Sequence, residues 1–255
     1  MYLDTDMYAV INIHWDGGWI HKASTDYEGT LEKYLTIWTQ VSERFKEYPD
    51  YLLFESMNEE GVFEDVWNRY SKIGDKTRAY NILNDLNQEF VDLVRSSGGN
   101  NARRHLLIAG YATDIDLTID SAFKMPVDPE NRSAVKVHYY TPSTFTILVE
   151  DADWGEAAYY WGSDSEIQRV KIDLEKMKTN YIDRGIAVVL GEYGAYTRNK
   201  DPESVRKYIV TVTELALEIG IHPMLWDNGE HYNRDTYSFR DIILEEQFRL
   251  IASGL

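Results

Sequence analysis

The sequence predicts an α/β fold in which βα units repeat along the chain and their strands run parallel. Three observations carry that reading. Short runs rich in branched and aromatic residues alternate with longer amphipathic segments, the pattern of strands joined by crossover helices. Polar and aromatic residues collect where each short run ends, and ligands of open sheets and barrels bind at that edge. The length, 255 residues, suits one large domain or two small ones, and an α/β barrel needs about 250 residues.

Each element follows from local pattern. Residues 8–13 form the first strand, a nearly continuous apolar run of the kind expected where both sheet faces are covered. Leu31, Tyr34, Leu35, Trp38, Val41 and Phe45 recur at helical spacing, and Pro49 closes that helix. The second strand spans 51–54 and runs on towards Met57. Leu83, Leu86, Phe90 and Leu93 mark the second helix, which stops at Gly98-Gly99. Residues 105–109 form the third strand, an Asp-dotted stretch over 113–125 has room for one short helix, and 134–138 form the fourth strand. A connection from 141 to about 164 holds Trp154 and Trp161; loops of that length are uncommon unless functional. A helix follows over 165–183, with Ser165 as its N-cap and Gly185 just past its end. The fifth strand is 186–190. Asp201-Pro202-Glu203 combines a capping Asp, a first-position Pro and an acid in the first turn, and the helix it starts ends at Gly220. The sixth strand is 221–226 and a last helix spans about 239–251. No repeat, low-complexity tract or composition break marks a second domain, so residues 1–255 read as one.

Composition narrows the function. Lys and Arg number 26 against 43 Asp and Glu, a net charge of −17. Nucleic acids and anionic membranes need a basic patch, and no Lys/Arg run of useful length is present. An acidic surface accepts a neutral substrate and keeps a protein soluble. The absence of cysteine excludes a disulfide scaffold, a thiol nucleophile and thiolate metal sites. Apolar runs fall far short of the roughly 18 residues of a membrane span. Residues 1–7 lack the basic and apolar regions of a secretory leader.

The strand ends carry the chemistry. They read His14-Trp15-Asp16, Glu55-Ser56-Met57-Asn58-Glu59, His138-Tyr139-Tyr140, Gly191-Glu192-Tyr193-Gly194 and Trp226-Asp227-Asn228. Glu59 and Glu192 each read as ending an apolar strand and pointing into a crevice. Paired carboxylates are what glycoside hydrolysis requires, one protonated to release the leaving oxygen and one ionised to attack the anomeric carbon. A lone strand-end Glu is more often a salt-bridged structural residue, but Asn58 before one and aromatics around the other favour the catalytic reading. His14 and His138 taken singly are more often structural. No third ligand accompanies them, so no metal is expected. Asp114, Asp116 and Asp120 do not match a calcium loop and read as a solvated face. Trp15, Trp19, Tyr139, Tyr140, Trp154, Trp161, Tyr193, Trp226 and Tyr232 lie at strand ends or in loops, where aromatic faces suit sugar rings; about half are expected to line a cleft and the rest to pack loops.

These motifs, in this order, resemble glycoside hydrolase family 5, the retaining endo-β-1,4-glucanases on (β/α)8 TIM barrels. The resemblance rests on Ile11-Asn12-Ile13-His14, Phe54-Glu-Ser-Met-Asn58-Glu59, Val137-His138-Tyr-Tyr140, Gly191-Glu192-Tyr-Gly194 and Leu225-Trp226, and it runs essentially the whole chain. Gly17-Gly18-Trp19, Gly98-Gly99-Asn100-Asn101 and Tyr140-Thr-Pro resemble the subfamily acting on glucans, xyloglucan and related plant polysaccharides. It implies Glu59 as acid/base, Glu192 as nucleophile, and Asn58 on the 2-hydroxyl of the reacting sugar. Tyr140 is implied beside the nucleophile and His138 near the acid/base. His14 is implied at the reacting sugar's subsite, with Trp226 as its floor, and Trp15, Trp19 and Trp154 are further expected sugar contacts. Trp15 stands where the family usually has a second His.

The family places its acid/base after strand four and its nucleophile after strand seven, whereas Glu59 follows the second legible strand here and Glu192 the fifth. The chain is therefore expected to cover about the third strand to the eighth helix of the barrel. The first strand, first helix, second strand and an Arg that supports the nucleophile are expected to be missing from this single catalytic domain. The expected reaction is double displacement on cellulose, mixed-linkage glucan or xyloglucan, with the carboxyl groups about 5–5.5 Å apart and no cofactor. A β-glucan is the expected partner and the cell exterior the expected location. A non-catalytic sugar-binding fragment and a mannanase-type hydrolase with the same carboxylates are the alternatives.

Overall fold

The computed structural model describes residues 7–60 and 63–254; residues 1–6, read above for a leader, lie outside the described residues. The chain divides into two compact units, Met1–Val137 and His138–Leu255. In chain order the first holds β1 (Ala9–Asn12), a 3-10 segment over Trp19–Ser24, α1 (Tyr27–Phe45), β2 (Leu52–Glu55), β3 (Trp67–Asn68), β4 (Ile73–Gly74), α2 (Lys76–Ser96), β5 (Leu106–Ala109), α3 (Ile115–Thr118) and β6 (Ser133–Tyr139). The second unit opens on the last two residues of β6 and continues through α4 (Ser143–Thr146), α5 (Asp164–Asn180), β7 (Val188–Tyr193), α6 (Pro202–Glu218), β8 (His222–Leu225), β9 (Tyr232–Asn233), β10 (Ser238–Phe239) and α7 (Ile242–Ser253).

In the first unit β1, β2, β5 and β6 pair side by side in that order, every pair parallel. Crossover helices permit that arrangement where tight hairpins do not. All four residues of β5 are buried, as its unbroken Leu-Leu-Ile-Ala run requires. The Asp26 side chain caps α1 by accepting from Gly29 N, and Tyr34 and Trp38, one turn apart, are buried on its inner face. Trp38 meets Phe54 and Phe90 at ring separations of 5.6 and 4.6 Å. Arg104 is fully buried beneath this core. Its guanidinium lies 4.6 Å from the Phe54 ring centre and donates to the carbonyls of Phe45, Tyr48, Pro49 and Leu52 and to Asn101 Oδ1. One fork thus satisfies backbone acceptors that the end of α1 and the entry to β2 would otherwise leave unpaired.

In the second unit β7 and β8 are parallel. The cap of α5 is Ser163 rather than Ser165: Ser163 and Glu166 form a reciprocal capping box, which starts the helix at Asp164 and leaves Ser165 inside its first turn. Asp201 caps α6 with Pro202 at the first turn, as expected, and Gly185 adopts φ 79° after a 3-10 turn over Ile182–Arg184. Phe145, Trp161 and Tyr208 form this unit's aromatic core, with Trp161 and Tyr208 5.1 Å apart. The long connection is ordered by Lys200, whose ammonium donates to Leu148 O and, at 2.6 Å, to Ala158 O.

Two hairpins, β3–β4 and β9–β10, were not expected from hydrophobic period, because two-residue strands carry none. Their signal is the Asx turn. Asn68 Oδ1 accepts from Tyr70 N and Ser71 N, and Asn233 Oδ1 accepts from Asp235 N and Thr236 N. Asp114 caps α3 through Leu117 N and Asp120 pairs with Lys76, so these carboxylates, read as part of a solvated face, make specific contacts. Among the described residues no helix is long and apolar enough to cross a membrane.

Candidate active site

In the first unit the site grows from the segment after β2. Its backbone is held from several sides. Ser56 N donates to Leu107 O and Asn58 N to Ile13 O, while Ser56 O accepts from the Tyr34 hydroxyl at 2.8 Å. Ser56 Oγ accepts from Ala109 N. Beneath them Lys136 Nζ lies 2.5 Å from Glu55 Oε1 and 3.4 Å from Met57 O, and Asn12 Nδ2 donates to the same Glu55 oxygen at 2.9 Å. Glu59 therefore does not end the strand, as the sequence had suggested. It stands four residues beyond Glu55 on a pinned segment, exposed, with Asn58 buried before it.

His14, Trp15, His21, Asn58, Glu59 and Glu60 line a cavity of about 680 Å³, joined by Glu64, Asp65 and Arg69. Trp15 is 66 % exposed and stands edge-on to His21, ring centres 6.3 Å apart. Gly18 sits at φ 67°, and a Cβ there would lie 2.7 Å from the Trp15 ring, so both backbone and space demand glycine. Trp19 is buried: its Nε1 donates to Asp16 Oδ2 and Lys33 Nζ lies 4.1 Å over its ring.

In the second unit Glu192 is on β7 itself. Pairing with β8 slips between Leu190 and Tyr193, where β7 carries one residue more than its partner. Such a bulge re-aims a side chain, and bulges gather beside active sites. Glu192 Oε2 accepts from the Tyr140 hydroxyl at 2.9 Å and lies 3.6 Å from His138 Nδ1. Both partners come from the end of β6 and the residue after it. The next residue, Tyr193, turns away: its hydroxyl meets Thr213 Oγ1 at 2.6 Å, and burial pushes its phenol up to about 12. Trp226 follows β8, its backbone N–H donating to Tyr193 O, and the residue is 42 % exposed. Trp154 is exposed on the 152–155 turn of the long connection.

Of the nine loop and strand-end aromatics, Trp19, Tyr139, Trp161 and Tyr193 are buried and pack the interior, and Trp15 lines the cavity beside Glu59. Lys136, Glu60 and His231 lay outside the expected site. A single Lys in an apolar strand gives no catalytic signal by pattern, and His231 is one of several isolated histidines. His231 is buried and its Nε2–H donates to Ala195 O, while Glu230 accepts from Thr197 N and Oγ1. These contacts clasp the loop after β8, which starts at Trp226, to the loop after β7, which follows Glu192. Burial pulls the His231 imidazole below its ordinary value, against the opposing pull of Ala195 O, Asp227, Glu230 and Asp241. Its unfolded form therefore takes up a proton first as pH falls. Its contribution is whole above about pH 6.5 and declines below it, towards the lower folded value. Melting scans are expected to show wild type losing Tm more steeply than His231→Gln between about pH 6.5 and 5; parallel slopes would refute this.

Three comparisons bear on the whole. The family model described as Cellulase (glycosyl hydrolase family 5) matches residues 1–232. The xyloglucan-specific endo-β-1,4-glucanase of Bacteroides ovatus is 33 % identical over 244 residues, covering 89 % of this chain and 47 % of that protein. Endoglucanase A of Ruminococcus albus is 33 % identical over 230 residues, covering 89 % of this chain and 60 % of its own length. The chain thus spans about half the length of these relatives. Among solved structures, a broad-specificity endoglucanase from an uncultured bovine rumen ciliate superposes with TM-score 0.86 at 32 % identity, over 99 % of this chain and 73 % of that one. A lichenase from Caldicellulosiruptor sp. F32 in complex with cellotetraose has TM-score 0.86 at 29 % identity, over 96 % of this chain and 70 % of that one.

Proposed function

The chain belongs to glycosyl hydrolase family 5 and to its (β/α)8-barrel fold, and from that premise we propose that it is a retaining, endo-acting β-1,4-glucanase on cellulose, mixed-linkage glucan or xyloglucan. The observation that carries the reading is Glu192, set on a strand bulge and held by Tyr140 and His138. A hydroxyl donating to a carboxylate favours its ionised form, the state an attacking nucleophile needs. Glu59 is the acid/base, exposed on a backbone-pinned segment beside Asn58, which holds the 2-hydroxyl of the reacting sugar.

Glu59 protonates the glycosidic oxygen as Glu192 forms a bond to C1 and the leaving chain departs with the electron pair. Water, deprotonated by Glu59, then displaces Glu192. Residues 1–255 serve this one catalytic domain, and no cofactor enters the chemistry. Exposed Trp15 and Trp226 offer rings to the sugar, Trp226 as the floor under the reacting unit, with His14 shaping that subsite and Trp154 reaching chain further along. Trp19 serves through the loop it anchors, since its ring is already covered by Lys33. The location proposed is outside the cell, because the substrate is a polymer that cannot cross a membrane.

Hydrolysis of a cello-oligosaccharide followed by proton NMR tests the reading. The β anomer is expected to appear first and to mutarotate afterwards, and Glu59→Gln is expected to remove the signal. Initial α product, or full activity in Glu59→Gln, would overturn it.

A further inference from the structure

The cavity beside Glu59 carries more acid than proton transfer needs. Besides Glu59 it is lined by Glu60, Glu64 and Asp65, against the single guanidinium of Arg69. That guanidinium is already taken, with Arg69 Nε 3.3 Å from Glu64 Oε1. Glu60 is only 4 % exposed, and its Oε2 has no hydrogen-bond partner among the described residues. A carboxylate in that position is poorly screened by solvent, so its field on a group inside the cavity exceeds that of a surface charge. Nothing in the backbone pinning of Ser56 to Asn58 requires these three acids.

Resting on the glucanase reading, we propose that the Glu60–Glu64–Asp65 wall selects glucan chains by the charge of their substituents. Neutral and amino-bearing chains are admitted; chains carrying carboxylates are turned away. The physical basis is the unbalanced charge. A substituent carboxylate brought within about 6 Å of these acids meets repulsion even at high dielectric, and more beside Glu60. An ammonium meets attraction of the same size.

The test uses three derivatives of one β-1,4-glucan backbone at matched degree of substitution: hydroxyethyl, carboxymethyl and aminoethyl. At low salt kcat/KM is expected to favour the neutral over the anionic chain by about tenfold, with the cationic chain at or above the neutral one. In about 1 M salt, where the screening length is about 3 Å, the preference is expected to shrink to about threefold. Glu64→Gln combined with Asp65→Asn is expected to produce a similar contraction at low salt, and Glu60→Gln a further one. Because each value is a ratio within one preparation, the folded fraction cancels. A ratio indifferent to salt and to these variants would overturn the proposal and leave substituent size as the cause. Equilibrium binding of the same three polymers to Glu59→Gln keeps the tests separate. Absence of hydrolysis on all three would defeat the glucanase reading, whereas the binding order still decides the charge selection.

Discussion

Removing Glu192 and removing Glu59 are expected to yield opposite anomers when azide replaces the lost carboxylate. In Glu192→Ala the face of the sugar that the nucleophile served is open. With a dinitrophenyl β-cellobioside, azide forms the N–C1 bond there while the phenolate leaves with its electron pair, giving the α-glycosyl azide in one inversion. In Glu59→Ala the glycosyl-enzyme still forms, because that phenolate needs no proton. Azide, which needs no general base, then displaces Glu192 from the other face and gives the β-glycosyl azide. On unactivated glucan, loss of the nucleophile is expected to cost about 10⁵-fold or more in kcat, and loss of the acid/base about 10²–10⁴-fold. The same anomer from both variants would remove the distinction between their roles. Tyr140 and His138, both directed at Glu192 Oε2, tie the first effect to one oxygen on β7.

Much of this was legible in the residues. The main strands of both units were expected within three residues of their observed ends, because buried parallel strands read as unbroken apolar runs. Helix starts were legible where the cap is chemically distinctive, as at Asp201-Pro202, and slipped at Ser163 because two serines compete two residues apart. Glu192 could be placed because it lies on its strand. Glu59 reads as ending its strand, yet it stands four residues beyond the end of β2, since the backbone of 56–58 is engaged by Tyr34, Leu107 and Ile13 from outside β2. Such tertiary hydrogen bonds leave no period in a sequence. The same holds for the aromatics: Trp15 and Trp19 look alike in the chain, and only the cover from Lys33 and the Asp16 hydrogen bond separate a buried ring from an exposed one.

The second large effect is expected beneath the acid/base. Lys136 is fully buried and Glu55 nearly so, and their pair is joined by Asn12 and by the Met57 carbonyl. Three strands, β1, β2 and β6, are thereby tied at the level where the chain leaves for Asn58 and Glu59. Lys136→Met keeps the volume but strands a buried carboxylate. Removing one member of a buried pair costs about 3–5 kcal/mol, which for a chain of this length corresponds to a Tm lower by roughly 6–20 °C. Replacing both, Lys136→Met with Glu55→Leu, removes the stranded charge along with its partner. The double variant is expected to regain most of that stability, so the double-mutant cycle should show a coupling of about 2 kcal/mol or more. Activity is expected to behave differently. With Met57 O released, the double variant regains its fold but not its kcat, at little change in KM, because Glu59 loses its setting while the sugar-facing rings keep theirs. Equal recovery of kcat and Tm would reduce the pair to packing, and additive single effects would show that Lys136 and Glu55 do not act together.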